Sequence, residues 1–281
     1  MLEQVTLKLT ENSEIRIPAS GVTIFVGPNN SGKSLTLREI EKCFNVHPFP
    51  SDNNIVSGYN IRWPEQNDLD AFIEFHSMRS PAGMGVGQIQ LSRMGPLGRE
   101  MMHTSIDTIN SIWAAKTDSN WWLTQIGKWG IVRLDGRSRF DLTNDQPGGD
   151  LLGIPSNILN YLFQNDAARK KVRNIIHDAF GTYLVIDPML LGTLRIRLSS
   201  EKPPTDEQSL GEAARSFYKN ASLVKELSDG IQAFTGIITA LVAGDFHTIL
   251  IDEPEAFLHP PLAKKLGRHL SSLAKERGGV A

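Results

Sequence analysis

The feature that most constrains this chain is the octapeptide Gly27-Pro28-Asn29-Asn30-Ser31-Gly32-Lys33-Ser34. The run before it, Val22 to Val26, is continuously apolar and β-branched, which predicts a strand buried on both faces. Behind it Leu35, Leu37, Ile40 and Phe44 recur at helical spacing. Strand, glycine loop and helix together satisfy the pattern G-x-x-x-x-G-K-[ST] in full. The spacing has a chemical reason. Gly27 and Gly32 let the backbone turn tightly and approach a ligand. The N–H groups of the intervening Pro28-Asn29-Asn30-Ser31 loop and of the helix N-terminus converge on phosphate oxygens, proline itself having none to give. Lys33 then reaches the outer phosphates, and the Ser34 hydroxyl is available to Mg²⁺.

A second constellation closes the chain. Phe246 to Ile251 reads as another buried strand and runs straight into Asp252-Glu253-Pro254-Glu255. Acidic residues at the end of an apolar strand face the crevice that a phosphate loop serves. Asp252 can hold Mg²⁺ directly or through water, and Glu253 is placed to orient or deprotonate an attacking water. Just ahead, Ser228-Asp229-Gly230 precedes a long helical pattern from Ile231 to Val242. A serine hydroxyl, a glycine backbone and a helix N-terminus form a second potential anion site. Two phosphate-type sites in one chain suit a head-to-tail dimer, in which Ser228 and Gly230 of one copy cover the nucleotide held by the other.

Between these ends the chain is less explicit. Val5–Leu9 and Ser13–Ile17 read as two short strands, and residues 45–68 as loop. Leu69–His76 alternates and predicts a strand that joins the first two in an antiparallel edge. Residues 80–98 fit either a loop or a hairpin, and Gln88 and Gln90 within them are weak candidates for the metal or the attacking water. Thr104–Thr117 reads as helix, Ile131–Phe140 as strand, Asp-Gly turn and strand, and Ile158–Phe180 as one or two helices. Tyr183–Asp187 and Thr193–Leu198 look like strands, with 202–208 a polar hinge. Trp63, and the cluster Trp113, Trp121, Trp122 and Trp129 with Lys116 and Lys128 between, read as local core rather than as a base-stacking platform. Arg133, Arg137 and Arg139 read as a solvated face rather than a phosphate contact. Cys43 reads as a small buried apolar residue.

Composition removes several classes. With 29 basic against 31 acidic side chains the chain is no strongly basic nucleic-acid binder, though a local patch is allowed. A single cysteine excludes an internal disulfide framework and fits a reducing, cytoplasmic setting. No apolar run is long enough for a membrane span.

Taken together, GPNNSGKS, LSDG and ILIDEPEAFLHP resemble the ABC-type ATPase superfamily, in the soluble branch of RecF-like, chromosome-maintenance-like and OLD-like AAA ATPases. The resemblance rests on the two ends, since residues 45–220 match no familiar pattern. It implies ATP and Mg²⁺ as ligands, with Gly27, Pro28, Asn29, Asn30, Ser31, Gly32, Lys33 and Ser34 as the phosphate loop. It further implies Ser34 and Asp252 at the metal, Glu253 with Lys33 as catalytic residues, and Ser228 and Gly230 as signature residues acting in trans. Leu258 and His259 fall where relatives carry the loop that connects the two ATP sites. The signature departs from its relatives at Asp229 and at Ile231-Gln232. Relatives also carry a further buried strand and a switch histidine beyond the point where this sequence stops. The expectation is therefore retained ATP binding with impaired turnover in the chain as given.

The expected fold is α/β, a P-loop NTPase core with an antiparallel side sheet and an inserted, mostly helical subdomain. Residues 1–75 and 205–281 would form the discontinuous core, and 76–204 the insert. The expected function is Mg²⁺-dependent ATP hydrolysis that drives homodimer engagement, coupled to DNA or to a nuclease or other effector protein in DNA repair or anti-phage defence. The alternatives are an ATP-sensing interaction module with little turnover and, less well supported, a transporter ATPase subunit.

Overall fold

The computed structural model describes residues 2–10, 13–19, 21–78, 85–95 and 98–276. The chain opens with β1 (Leu2–Thr10) and β2 (Ser13–Pro18), then α1 (Lys33–Asn45) and β3 (Val56–Ile61). These strands form an antiparallel sheet of order β2-β1-β3. Next come α2 (Gln66–His76), β4 (Ser77–Met78), and the hairpin of β5 (Gln88–Met94) and β6 (Arg99–Ser105). Helices α3 (Ile106–Ala115) and α4 (Ser119–Gln125) lead to β7 (Ile131–Leu134), α5 (Ser138–Asp141) and β8 (Gln146–Pro147). After α6 (Ile158–Gln164) and α7 (Asp166–Phe180), the hairpin of β9 (Tyr183–Leu190) and β10 (Thr193–Ser199) follows. The last elements are α8 (Glu212–Asn220), β11 (Ser222–Leu223), α9 (Asp229–Ala243), β12 (Thr248–Ile251) and α10 (Pro260–Glu276). Among the described residues this is a mixed α/β architecture with four sheets, and residues 76–204, expected to be mostly helical, carry strands β4 to β10 beside their helices.

One strand pair positions the site. β12 runs parallel to β7, with Thr248 opposite Ile131 and Ile251 opposite Leu134. The pairing continues past the strand ends, because the Asp252 amide donates to the Leu134 carbonyl at 2.9 Å. Parallel neighbours need a long crossover connection, and here it includes α9. That helix is the centre of the main core. Phe234, Ile237 and Ile238 are fully buried against α6, α7 and α10, and each such side chain stabilises by roughly 2 kcal/mol. Glycine lets α9 come close to its neighbours: a side-chain carbon on Gly236 would lie 2.0 Å from the Arg139 carbonyl oxygen, and one on Gly230 2.7 Å from that of Phe257.

Helix α1 packs in a second core. Leu37, Ile40, Cys43 and Phe44 face Val5, Leu7, Val56, Ile131 and Leu250. Beneath them Glu39 is buried and its carboxylate accepts from the amides of Asn54, Ile55 and Val56 at 2.7 to 2.8 Å. Burial alone would raise its pKa, but those backbone donors outweigh it and hold the carboxyl below the usual range.

The fold departs from the sequence expectations in four places. Val22–Val26 joins no strand ladder, and Val22, Ile24 and Val26 are 52%, 76% and 90% exposed. Only Phe25 packs partly against the α1 core. A fully buried strand needs neighbours on its edges and both faces, and no described strand pairs with this one. Leu69–His76 belongs to a helix, α2, because Leu69, Phe72, Ile73 and His76 also fall at i, i+3, i+4 and i+7 and share one face. The third strand of the first sheet comes instead from Val56–Ile61, inside the stretch expected to be loop. After the Asp-Gly turn at 135–136 the chain forms α5 and no second strand. Asp135 starts that turn by accepting from the Arg137 and Ser138 amides.

The remaining elements follow their periodicity. The tryptophans form a core: Trp122 and Trp129 are buried, and Trp63 packs against Trp122 with ring planes tilted by 52° and centroids 5.0 Å apart. Residues 80–84, 96 and 97 of the glycine- and methionine-rich segment lie outside the described residues, and the remainder forms the β5–β6 hairpin. Gln90 is buried there and its amide donates to the Met101 sulfur at 3.3 Å.

Candidate functional site

The loop from Gly27 to Ser34 leads directly into α1. Gly32 is the helix N-cap at φ 88, a left-handed conformation that suits glycine, and no side chain caps the first amides. The loop is tight: a side-chain carbon on Gly27 would lie 2.8 Å from the Ser31 Oγ, and one on Gly32 2.9 Å from the Ile55 Cδ1. The Lys33 ammonium folds over this loop and donates to the carbonyls of Gly27 and Pro28, each at 2.7 Å, with the Ser31 Oγ at 3.4 Å.

Across 218 residues of sequence, the Ser34 Oγ donates to Asp252 Oδ1 at 2.8 Å. The parallel β7–β12 pair carries Asp252 to this point, and the packing of α1 on Ile131 and Leu250 brings Ser34 to meet it. Lys33 therefore sits one residue from the contact, and Glu253 one residue from it on the other side. The Glu253 side chain is exposed, while its backbone adopts φ 49. His259 lies beyond, exposed, its carbonyl accepting the Leu262 and Ala263 amides at the start of α10. Ser228 is the N-cap of α9. Its carbonyl accepts from Ile231 and Gln232, and its exposed hydroxyl caps no amide. Gly230 packs on the Phe257 backbone, which ties the signature segment to the loop that follows the acidic pair.

Two features of the site were not read from the sequence. Arg139 is fully buried and belongs to no solvated face. Its guanidinium donates to the carbonyls of Asp135, Glu253 and Asp252, directly behind the acidic strand end. Arg133 pairs with Glu41 on α1 at 2.6 Å and with Asp135 at 3.0 Å.

The donor set suits Mg²⁺ bound with a polyphosphate better than a metal held by protein alone. Among the described residues no group of three or more His, Cys, Asp or Glu side chains gathers as a metal cage. One hydroxyl and one carboxylate, with phosphate oxygens and water completing the shell, is the way Mg²⁺ is commonly held. Among the described residues no helix is long and apolar enough to cross a membrane.

The chain is a mixed α/β protein in which a glycine-rich helix entry meets an acidic strand end, and the family comparison assigns it an AAA domain. Residues 108–280, more than half of the chain, match the family described as AAA domain, putative AbiEii toxin, type IV TA system, and the chain belongs to that family. The match takes in Ser228, Gly230, Asp252 and Glu253 and begins beyond the Gly27–Ser34 loop. No curated protein matches the chain.

Proposed function

We propose that the protein binds ATP with Mg²⁺ between the Gly27–Ser34 loop and the Asp252–Glu253 pair and hydrolyses it. The contact that carries this reading is the Ser34–Asp252 hydrogen bond, which joins the two motifs at one point. In the reaction the loop amides and the α1 N-terminus receive the phosphates. Lys33 exchanges its carbonyl partners for the outer phosphate oxygens. Mg²⁺, when bound, neutralises charge on the phosphates, with Ser34 and Asp252 as its protein ligands. Glu253, on the exposed side of the strand end, accepts the proton of the attacking water.

The finer branch we infer is the ABC-type, RecF-like and OLD-like one. In this reading two copies meet head to tail, and the exposed Ser228 hydroxyl with Gly230 reaches the nucleotide on the partner. Residues 1–75 and 205–281 supply the nucleotide-binding groups, backed by β7 and Arg139 from the 76–204 stretch, and the rest of 76–204 contributes the surface that meets DNA or an effector protein. The family's description as a putative toxin of a type IV TA system supports a defence role over repair.

The test compares ATP turnover and ATP-dependent self-association of the chain with those of Glu253→Gln and Lys33→Ala. Glu253→Gln should keep ATP binding, lose turnover by about a hundredfold or more, and accumulate as dimer in ATP. Lys33→Ala should lose binding. Equal turnover in the parent and Glu253→Gln would reject hydrolysis at this site and leave an ATP-sensing module.

A further inference from the structure

We propose that Arg139 is the positioning residue of the acidic pair: from behind the strand end it sets where Asp252 and Glu253 point. The inference rests on the nucleotide reading above and goes beyond it, because Arg139 lies outside every motif that reading uses.

The geometry is specific. The guanidinium is 0% exposed, and every group that accepts from it is a backbone carbonyl. Nε donates to Asp135 at 2.9 Å, Nη1 to Glu253 at 3.0 Å, and Nη2 to Asp252. Among the described residues it forms no ion pair. A planar fork that binds two successive carbonyls fixes the peptide between them, which a lysine ammonium cannot do. That peptide joins the residue that contacts Ser34 to the residue held at φ 49. A left-handed glutamate costs roughly 1 kcal/mol and persists only where its surroundings enforce it. The Arg139 donation to the Glu253 carbonyl, together with the Ala256 amide on that same oxygen at 2.9 Å, does so. Burial lowers the guanidinium's affinity for its proton, and the carboxylates of Asp135, Asp252, Glu253 and Glu255 oppose this only in part.

Arg139 is itself held from α9. Gly236 lies so close to its carbonyl oxygen that no side chain fits between them. The helix that begins at Ser228-Asp229-Gly230 thus bears, through Gly236 and α5, on the arginine that aims the acidic pair. A shift of α9 when its N-terminus engages a partner would reach Asp252 and Glu253 by this route.

The experiment measures ATP affinity with and without Mg²⁺, turnover and thermal melting for the parent chain, Arg139→Lys, Gly236→Ala and Glu253→Gln. Arg139→Lys keeps the charge and loses the fork. Gly236→Ala keeps the guanidinium and displaces its backbone. Both should leave metal-free ATP affinity within about twofold while weakening the Mg²⁺ enhancement of binding about tenfold or more, with turnover falling by ~10–100-fold. A folded Arg139→Lys with parental Mg²⁺ dependence and turnover would overturn the proposal. So would unfolding of both variants, which would make Arg139 a residue of stability alone. A parent chain whose ATP binding ignores Mg²⁺, or whose turnover survives Glu253→Gln, would instead count against the nucleotide reading itself.

Discussion

The Ser34 hydroxyl donates to Asp252 Oδ1 at 2.8 Å, and this bond joins the glycine-rich entry of α1 to the acidic end of β12. A neutral-to-charged hydrogen bond of this kind stabilises by about 1.5–3 kcal/mol, and both groups are also those that would bind a divalent ion. Ser34→Ala and Asp252→Asn should each abolish the Mg²⁺ enhancement of ATP affinity. Because they share one partner, the double variant should lose little more than either single one, with a coupling of about 1 kcal/mol or above. Calorimetric titrations of all four proteins give the cycle, and strict additivity would show that the two residues act apart.

Gly32 has a conformational role that its neighbours cannot take over. Its φ of 88 is strained for any residue with a side chain. The added carbon would also press on the end of Ile55, which can yield. Gly32→Ala should lower stability by about 1–2 kcal/mol and weaken ATP binding, because the loop must rotate to relieve the strain. Denaturant melts and ATP titration read the two effects separately.

Glu39 should make stability sensitive to acid. Its folded carboxyl sits below the ordinary value of 4.5, so its contribution is fully present above 4.5 and is lost as pH falls through the lower folded value. Glu39→Gln offers one acceptor oxygen to three amides and should cost about 1–3 kcal/mol at neutral pH. The difference between parent and variant should shrink on acidification below 4.5, as followed by denaturant midpoints across pH.

Cys43 should be inert in the folded protein. Burial pushes its thiol up to about 11, against a smaller opposing effect from Asn53, and it donates to the Glu39 carbonyl at 3.1 Å. Thiol reagents at pH 8 should label it only after denaturation, since the thiolate is the reactive form. Labelling at the rate of a free thiol in the folded chain would show that the α1 core opens readily.

Much of the architecture was legible from residue patterns, and the losses have separate causes. The glycine-rich entry into α1, α7, the β9–β10 hairpin and α9 follow periodicity and glycine placement. Leu69–His76 satisfied a period of two and a period of 3.6 at once, and packing against Trp122 and Ile109 decided between them. Val56–Ile61 carries a serine, a glycine and an asparagine, so its own residues argue against a strand; pairing with β1 and the Glu39 carboxylate on its first amide supply what they lack. Arg139 was legible only as a charge, because two of the three carbonyls that make it structural, those of Asp252 and Glu253, lie 113 and 114 residues away in sequence.

The Lys33 ammonium already has two carbonyl oxygens at 2.7 Å. An incoming anion does not meet a bare cation; it competes with partners that the loop itself supplies. Its gain is a difference between two solvating shells, and that difference grows with the number of negative oxygens presented together. A lone inorganic phosphate or a nucleoside monophosphate would then be a poor competitor, and a triphosphate a good one. The loop would discriminate by charge density before any contact with the base is made.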